Sequence, residues 1–104
     1  MLVVAFATVG TAASSSAANL DAGKAKATEV CAACHGQDGN STTPDFPKLA
    51  GQHHDYLAKA LRDYKSAQRK NAIMEGFAAA LTKEDIENLA AYYAAQPAVL
   101  SAKY

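Results

Sequence analysis

The sequence predicts a small all-α protein that consists of one domain. Three observations support this prediction: the chain has only 104 residues, apolar residues recur at helical spacing in three stretches, and no stretch alternates as a half-buried strand does. Glycine and proline residues separate the stretches. The expected architecture is therefore three helices joined by irregular segments.

The first predicted helix begins near Asp21 and runs into the two cysteines of the chain. The residues that recur at helical spacing are Leu20, Gly23, Ala27, Val30 and Cys34. Residues 36–41 contain two glycines and end the helix, and Pro44 and Pro47 keep the chain irregular as far as Gly51. A long segment without regular structure is therefore expected after the cysteines.

The second predicted helix runs from about His53 to Ala67. Its apolar stripe consists of Tyr56, Leu57, Ala60, Leu61 and Tyr64. Between residues 68 and 81 the helical pattern is lost, and this segment, which holds Met74, is predicted to be a loop.

The last predicted helix begins after Thr82, a residue type that is favoured at the N-cap. Acidic residues in the first turn, Glu84 and Asp85, favour a helix start because they interact well with the helix dipole. An apolar stripe follows, formed by Ile86, Leu89, Ala90 and Tyr93. Pro97 ends this helix.

The first 18 residues have the pattern of a secretory signal peptide. No charged side chain precedes Asp21, and the apolar run at 2–9 is followed by small residues through Ala18. The run lacks the usual Lys or Arg at its front, so we expect the natural start to lie upstream. Residues 10–16 are too polar for a membrane span, which needs about 20 apolar residues. We predict export, removal of residues 1–18, and a mature domain at 19–104.

The charged residues exclude one class of partner. Ten basic and ten acidic side chains give a net charge of zero, and the basic residues form no stripe along the sequence. Nucleic-acid binding is therefore not expected.

The most informative motif is the pentapeptide at 31–35, in which His35 directly follows the second of two cysteines, Cys31 and Cys34. This spacing is typical of covalent haem attachment. Each thiol can add to one vinyl group of the porphyrin, and the adjacent imidazole is then held beneath the iron. The motif predicts one haem c, bound through two thioethers.

Three other interpretations of the motif are weaker. A thioredoxin-like redox pair needs a preceding strand and a βαβ unit, and the sequence shows neither. A zinc-bound structural module needs four ligands, which His53 or His54 could complete, but a second pair of cysteines is absent. A disulfide would close only a very small loop and would leave His35 unexplained.

The sixth position on the iron needs a ligand or stays open. Met74 is the only methionine outside the predicted leader. A thioether opposite histidine stabilises ferrous iron and raises the reduction potential. We therefore predict His35 and Met74 as the metal ligands, with His53 and His54 as runner-up ligands.

The chain resembles the class I cytochromes c, in particular small bacterial periplasmic cytochromes and each half of the dihaem cytochromes c. The matching segments are residues 31–40, 46–52, 73–81 and 85–93. Together they extend over nearly all of the predicted mature domain. The resemblance implies a small class I cytochrome c fold at 19–104, with three main helices and loops wrapped round one covalently bound haem.

The resemblance also implies roles for single residues. Pro47 matches a proline whose backbone carbonyl accepts the proton on the other nitrogen of the ligand imidazole, which fixes the ring. Gly23 and Ala27 match the positions where the first helix crosses the last, against Leu89 and Tyr92. The cofactor-binding residues it implies are Cys31, Cys34, His35, Pro47 and Met74.

Two further residues precede the predicted methionine ligand. Arg69 and Asn71 are candidates for a hydrogen bond to a haem propionate or to the loop backbone. Some relatives place a second methionine at the position of Phe77, and its absence here favours Met74 as the ligand.

The function that the resemblance implies is electron transport in the periplasm, without enzyme activity. Expected partners are a quinol-oxidising complex on one side and a terminal oxidase, reductase or peroxidase on the other. A homodimer could bring two haem edges together. The alternative is a haem protein whose open or displaceable sixth site binds gases or acts peroxidatically. Lysines that could support docking through complementary charge are Lys24, Lys26, Lys48, Lys65 and Lys70.

Overall fold

The structure is a computed structural model that describes residues 18–99, and every regular element in this range is helical. The prediction of an all-α fold is confirmed. The predicted leader lies outside the described residues apart from Ala18. The helices and the one π-turn are α1 (Leu20–Lys26), the π-turn (Ala27–Cys31), α2 (Ala32–His35), α3 (His54–Lys65), α4 (Ala72–Ala79) and α5 (Lys83–Ala94).

Helix α1 leads through the π-turn into α2, so the predicted first helix is present but is widened in its middle. The side chain of Asn19 caps α1 by accepting a hydrogen bond of 3.0 Å from the Ala22 N–H. At the other end Gly36 adopts φ of +85° and ends α2 directly after His35. The cysteine motif therefore occupies the last turns of a helix, as predicted.

Helix α1 crosses α5 at very short range because Gly23 has no side chain. A Cβ atom at this position would lie 2.2 Å from the Asn88 carbonyl oxygen and 2.9 Å from Cβ of Tyr92. The predicted crossing of the first and last helices is thus present, with Asn88 and Tyr92 opposite the glycine. The crossing holds the start of the cysteine-bearing segment against the last helix.

Helix α5 begins as the sequence predicts. The Thr82 hydroxyl accepts a hydrogen bond from the Asp85 N–H, and the Asp85 carboxylate accepts one from the Thr82 N–H, both at 3.0 Å. This reciprocal pair satisfies two backbone donors at the helix start. Residues Ile86, Leu89 and Tyr93 of the predicted stripe are buried.

The prediction of a loop over residues 68–81 is wrong for its central part, which forms α4. The Asn71 side chain accepts hydrogen bonds of 3.1 Å from the N–H groups of both Ile73 and Met74, and this cap starts the helix. Eight residues are too few to display a clear apolar period, and Gly76 lowers the intrinsic helix propensity. The fold therefore contains one more helix than the three that we predict.

The core lies between α3 and α5, with contributions from the π-turn and α4. Its buried members are Ala27, Leu57, Ala58, Ala78, Leu81, Ile86, Leu89, Ala90, Tyr92 and Tyr93. Within residues 18–99, no helix has the length and apolar character needed to cross a bilayer.

Candidate functional site

A cavity of about 280 Å³ opens between α2, α3, α4 and α5 and the irregular segment at 45–52. Its walls are mainly apolar and come from every helix except α1. The apolar lining residues include Val30, Phe46, Leu49, Leu57, Ala60, Leu61, Ile73, Phe77, Leu89 and Ala90. A largely apolar cleft with a few polar groups is typical of a cofactor site.

Cys31 and Cys34 both line this cavity, are half-buried and carry free thiols. Burial raises the pKa of the Cys31 thiol, and the nearby Cys34 adds to the increase. The π-turn ends at Cys31 and α2 holds Cys34, so the helix presents both sulfurs to one cavity. The sequence motif thus forms one structural unit at the cavity wall.

His35 is buried, with 7% of its surface exposed, and it also lines the cavity. Its Nδ1 lies 2.9 Å from the carbonyl oxygen of Pro47. A carbonyl oxygen only accepts hydrogen bonds, so Nδ1 must carry the proton and Nε2 keeps a free lone pair. Phe46 packs its ring edge-on against the imidazole at 6.1 Å between centroids. The ring is therefore fixed in the tautomer that a metal ligand requires.

Met74 lies in α4 and lines the same cavity as His35. It is half-buried, and its backbone N–H is held by the Asn71 cap. The cavity is thus bounded by an imidazole on one helix and a thioether on another.

The runner-up ligands lie elsewhere. Neither His53 nor His54 is among the cavity-lining residues of the described chain. His54 Nε2 is 2.9 Å from one carboxylate oxygen of Glu87, and Arg62 is 3.4 Å from the other. His53 is exposed and directly precedes α3. These histidines belong to the surface of α3.

A polar group of residues borders the cavity near the start of α4. Arg69 donates a hydrogen bond of 3.3 Å to the Tyr56 hydroxyl, and its guanidinium carbon lies 4.9 Å from the centre of the Tyr64 ring. Asn71 bonds to the backbone of α4, which is one of the two partners that the sequence suggests for it.

Tyr93 is a cavity residue that the sequence reasoning identifies only as part of an apolar stripe. Its ring is buried against Cys31, and its hydroxyl is fully buried beside the Cys31 thiol, which is only a weak acceptor. The hydroxyl makes no hydrogen bond of standard geometry to any residue of 18–99. Burial raises the pKa of this phenol, and the neighbouring Cys31 adds to the increase. In the sequence, the only indication that Tyr93 belongs to the site is that a residue with a polar hydroxyl occupies a core-facing position of the apolar stripe.

These residues fit a covalently bound haem. Two thiols, one imidazole with a free Nε2 and one thioether line a single apolar cavity. No group of three or more His, Cys, Asp or Glu side chains in the described part of the chain is placed to hold a metal ion. A zinc-bound module therefore finds no ligand cluster between residues 18 and 99.

Comparison with known proteins shows which proteins this chain resembles. Residues 20–95 match the family described as Cytochrome c. The chain is 54% identical over 76 residues to a cytochrome c4 from Thiocapsa roseopersicina, covering 73% of this chain and 39% of that protein. It is 43% identical over 70 residues to a thiosulfate dehydrogenase electron acceptor from Stutzerimonas stutzeri, covering 66% of this chain and 32% of the relative.

Solved structures also resemble this fold. Reduced recombinant cytochrome c4 from Pseudomonas stutzeri superposes with a TM-score of 0.75 at 42% identity, covering 81% of this chain and 48% of the other. The chain thus spans less than half the length of each of these relatives.

Proposed function

Because the chain belongs to the cytochrome c family, whose cofactor is covalently bound haem c, we propose that it is an electron carrier with iron held by His35 and Met74. The observation that carries this proposal is that both side chains line one cavity together with the two cysteines. When bound, the haem supplies one-electron exchange between ferric and ferrous iron. The assigned cofactor-binding residues are Cys31, Cys34, His35, Pro47 and Met74.

Four residues would hold the haem at His35, and they have three different roles. The two thiols would form the thioether links, and the free Nε2 of His35 would bind the iron. Pro47 accepts the Nδ1 proton at 2.9 Å and so keeps the ring in place. A hydrogen-bonded imidazole is more basic and more rigid than a free one, which favours an unchanged geometry in both oxidation states.

Met74 is proposed as the second residue that would bind the iron. A thioether favours ferrous iron, and with histidine it gives a high reduction potential. Iron bound by both His35 and Met74 would have no free position for oxygen, peroxide or another substrate, so we propose a carrier rather than an enzyme. The apolar walls exclude water from the site and thereby reduce the reorganisation that accompanies electron exchange.

The partners and the compartment are also proposals. We place the protein in the periplasm, between a quinol-oxidising complex and a terminal oxidase, reductase or peroxidase. The name of one relative, a thiosulfate dehydrogenase electron acceptor, adds a dehydrogenase to the candidate donors. The signal peptide at 1–18, the mature domain at 19–104 and a homodimer stay predictions.

Replacing Met74 tests the ligand assignment. We expect Met74→Ala to lower the reduction potential by on the order of 0.1 V, within the range of about 0.8 V over which axial ligands act. Carbon monoxide should then bind the ferrous protein, because the sixth position is open. The potential, the far-red charge-transfer band of the ferric form and the carbon monoxide difference spectrum are measured together.

The matched control is His54→Ala, which removes a histidine that does not line the cavity. Its spectrum and potential should equal those of the unmodified protein. An unchanged Met74→Ala spectrum would reject methionine ligation. A high-spin ferric spectrum of the unmodified protein would instead favour an open site that binds gases or acts peroxidatically.

A further inference from the structure

We propose that Lys65 is a positioning residue for Met74: its ammonium group fastens the carboxyl end of α4 and limits movement of the helix that carries the methionine. This inference rests on the proposed ligation of iron by His35 and Met74. It concerns how firmly the ligand is held, which the ligand assignment itself leaves open.

The contacts of Lys65 connect two helices. Lys65 is the last residue of α3, and its Nζ lies 3.0 Å from the carbonyl oxygen of Ala79 and 2.7 Å from that of Leu81. Ala79 is the last residue of α4. The final carbonyl groups of a helix have no partner within it, and a positive charge at this end also interacts favourably with the helix dipole. The ammonium group thus satisfies two carbonyl groups and links α3 to α4.

Helix α4 needs such external contacts. It has eight residues, of which only Ala78 is buried, and helices of this length are not stable alone in water. Gly76 in its interior weakens it further. The Asn71 cap holds its amino end and Lys65 its carboxyl end, so Met74 lies between two fastened positions.

Lys65 differs in this respect from another lysine of the same helix, which lies six residues earlier. Lys59 also lies in α3, but its Nζ pairs at 2.5 Å with Asp63 of the same helix. That pair connects no second element. Lys59 therefore supplies a matched control for loss of a lysine charge from α3.

The first experiment measures how easily an added ligand displaces Met74. Imidazole is titrated into the ferric, haem-loaded protein and into the Lys65→Met and Lys59→Met variants. We expect the apparent imidazole affinity of Lys65→Met to rise about tenfold, since a lost hydrogen bond from a charged donor loosens α4 by about that factor. Lys59→Met should stay within about twofold of the unmodified protein. Lys65→Arg keeps the positive charge and has N–H groups that can donate to both carbonyls, so its imidazole affinity should stay close to that of the unmodified protein.

The second experiment measures α4 directly through amide hydrogen exchange of the same proteins. Exchange in α4 should become about tenfold faster in Lys65→Met, while the core amides of α5 keep their rates. Equal imidazole affinities for Lys65→Met and Lys59→Met would overturn the inference. Equal acceleration in α4 and α5 would also overturn it, because it would indicate general destabilisation.

The Met74→Ala spectrum separates the two proposals. If that substitution leaves the spectrum unchanged, the ligation fails and the role of Lys65 fails with it. If Met74→Ala opens the site but Lys65→Met behaves like the unmodified protein, only the role of Lys65 is lost.

Discussion

Two neighbouring tyrosines of α5 have opposite surroundings, although both are buried and their rings pack edge to face at 5.1 Å. Tyr92 donates a hydrogen bond of 2.8 Å to the carbonyl oxygen of Gln37. The Tyr93 hydroxyl is buried without a partner among the described residues. A buried hydroxyl without a hydrogen bond lowers stability, whereas a satisfied one does not.

Removing the two hydroxyls should therefore change stability in opposite directions. We expect Tyr93→Phe to raise the free energy of unfolding by about 1 kcal/mol and Tyr92→Phe to lower it by about 1 kcal/mol. Denaturant unfolding of the haem-loaded proteins measures both. A destabilised Tyr93→Phe variant would contradict the prediction and would show that the hydroxyl gains a partner when haem is bound.

Helices α1 and α4 each contain one glycine, and the two glycines differ in how closely they are packed. Gly23 is buried at the crossing of α1 and α5, where the Asn88 carbonyl leaves no room for a methyl group. Gly76 in α4 is exposed, and a Cβ atom there would meet nothing within 4 Å. The same substitution thus tests close packing at one site and helix propensity at the other.

We expect Gly23→Ala to lower the free energy of unfolding by about 1–3 kcal/mol, because a methyl group forces α1 away from α5. Gly76→Ala should raise it by about 0.5–1 kcal/mol, because alanine loses less backbone entropy in a helix. Thermal unfolding of both haem-loaded variants gives the comparison. If Gly23→Ala were as stable as the unmodified protein, the crossing would be wider than the structure indicates.

In the whole molecule, the helices surround a cavity, and a long irregular segment closes one side of it. The segment is tied to the residues that follow α5: the Asn40 side-chain amide donates to the Pro97 carbonyl at 3.0 Å and accepts from the Val99 N–H at 2.7 Å. The Gly51 N–H donates to the Tyr93 carbonyl at 3.0 Å. Small domains often depend on a bound group for stability, and a haem in the cavity would complete this core.

Covalent attachment through the two cysteines predicts how the haem behaves on extraction from the haem-loaded protein. We expect acidified organic solvent to extract haem from a Cys31→Ser, Cys34→Ser double variant and to extract none from the unmodified protein. Each single variant keeps one thioether and should retain its haem. Absorbance of the organic phase at the haem band measures the released fraction, and extraction from the unmodified protein would exclude covalent attachment.

Sequence patterns predict this fold well where local chemistry determines it. Thr82 and Asp85, three positions apart, form a capping box, and the stripe of α5 is long enough to show its period. Helix α4 is missed because its start depends on one asparagine and its body is short. The cysteine motif indicates its own site, since all of its members are consecutive.

Contacts between distant residues are harder to predict. The contact between the Pro47 carbonyl and His35 is predicted only from the family resemblance, because no local sequence pattern indicates it. The bonds from Lys65 to Ala79 and Leu81 depend on how α3 and α4 pack, which no periodicity encodes. The burial of the Tyr93 hydroxyl likewise depends on where its ring packs against Cys31, which no sequence pattern indicates.

The π-turn between α1 and α2 sets the angle, measured around the helix axis, between Gly23, which packs on α5, and the two cysteines, which line the cavity. An α-helix advances about 100° per residue, and the wider turn at Ala27–Cys31 absorbs one extra residue. Gly23 can therefore face α5 while the sulfurs of Cys31 and Cys34 face the cavity. Shortening this turn by one residue would swing the cysteines about a quarter of a revolution away from the space that they line, with α1 still seated in its place.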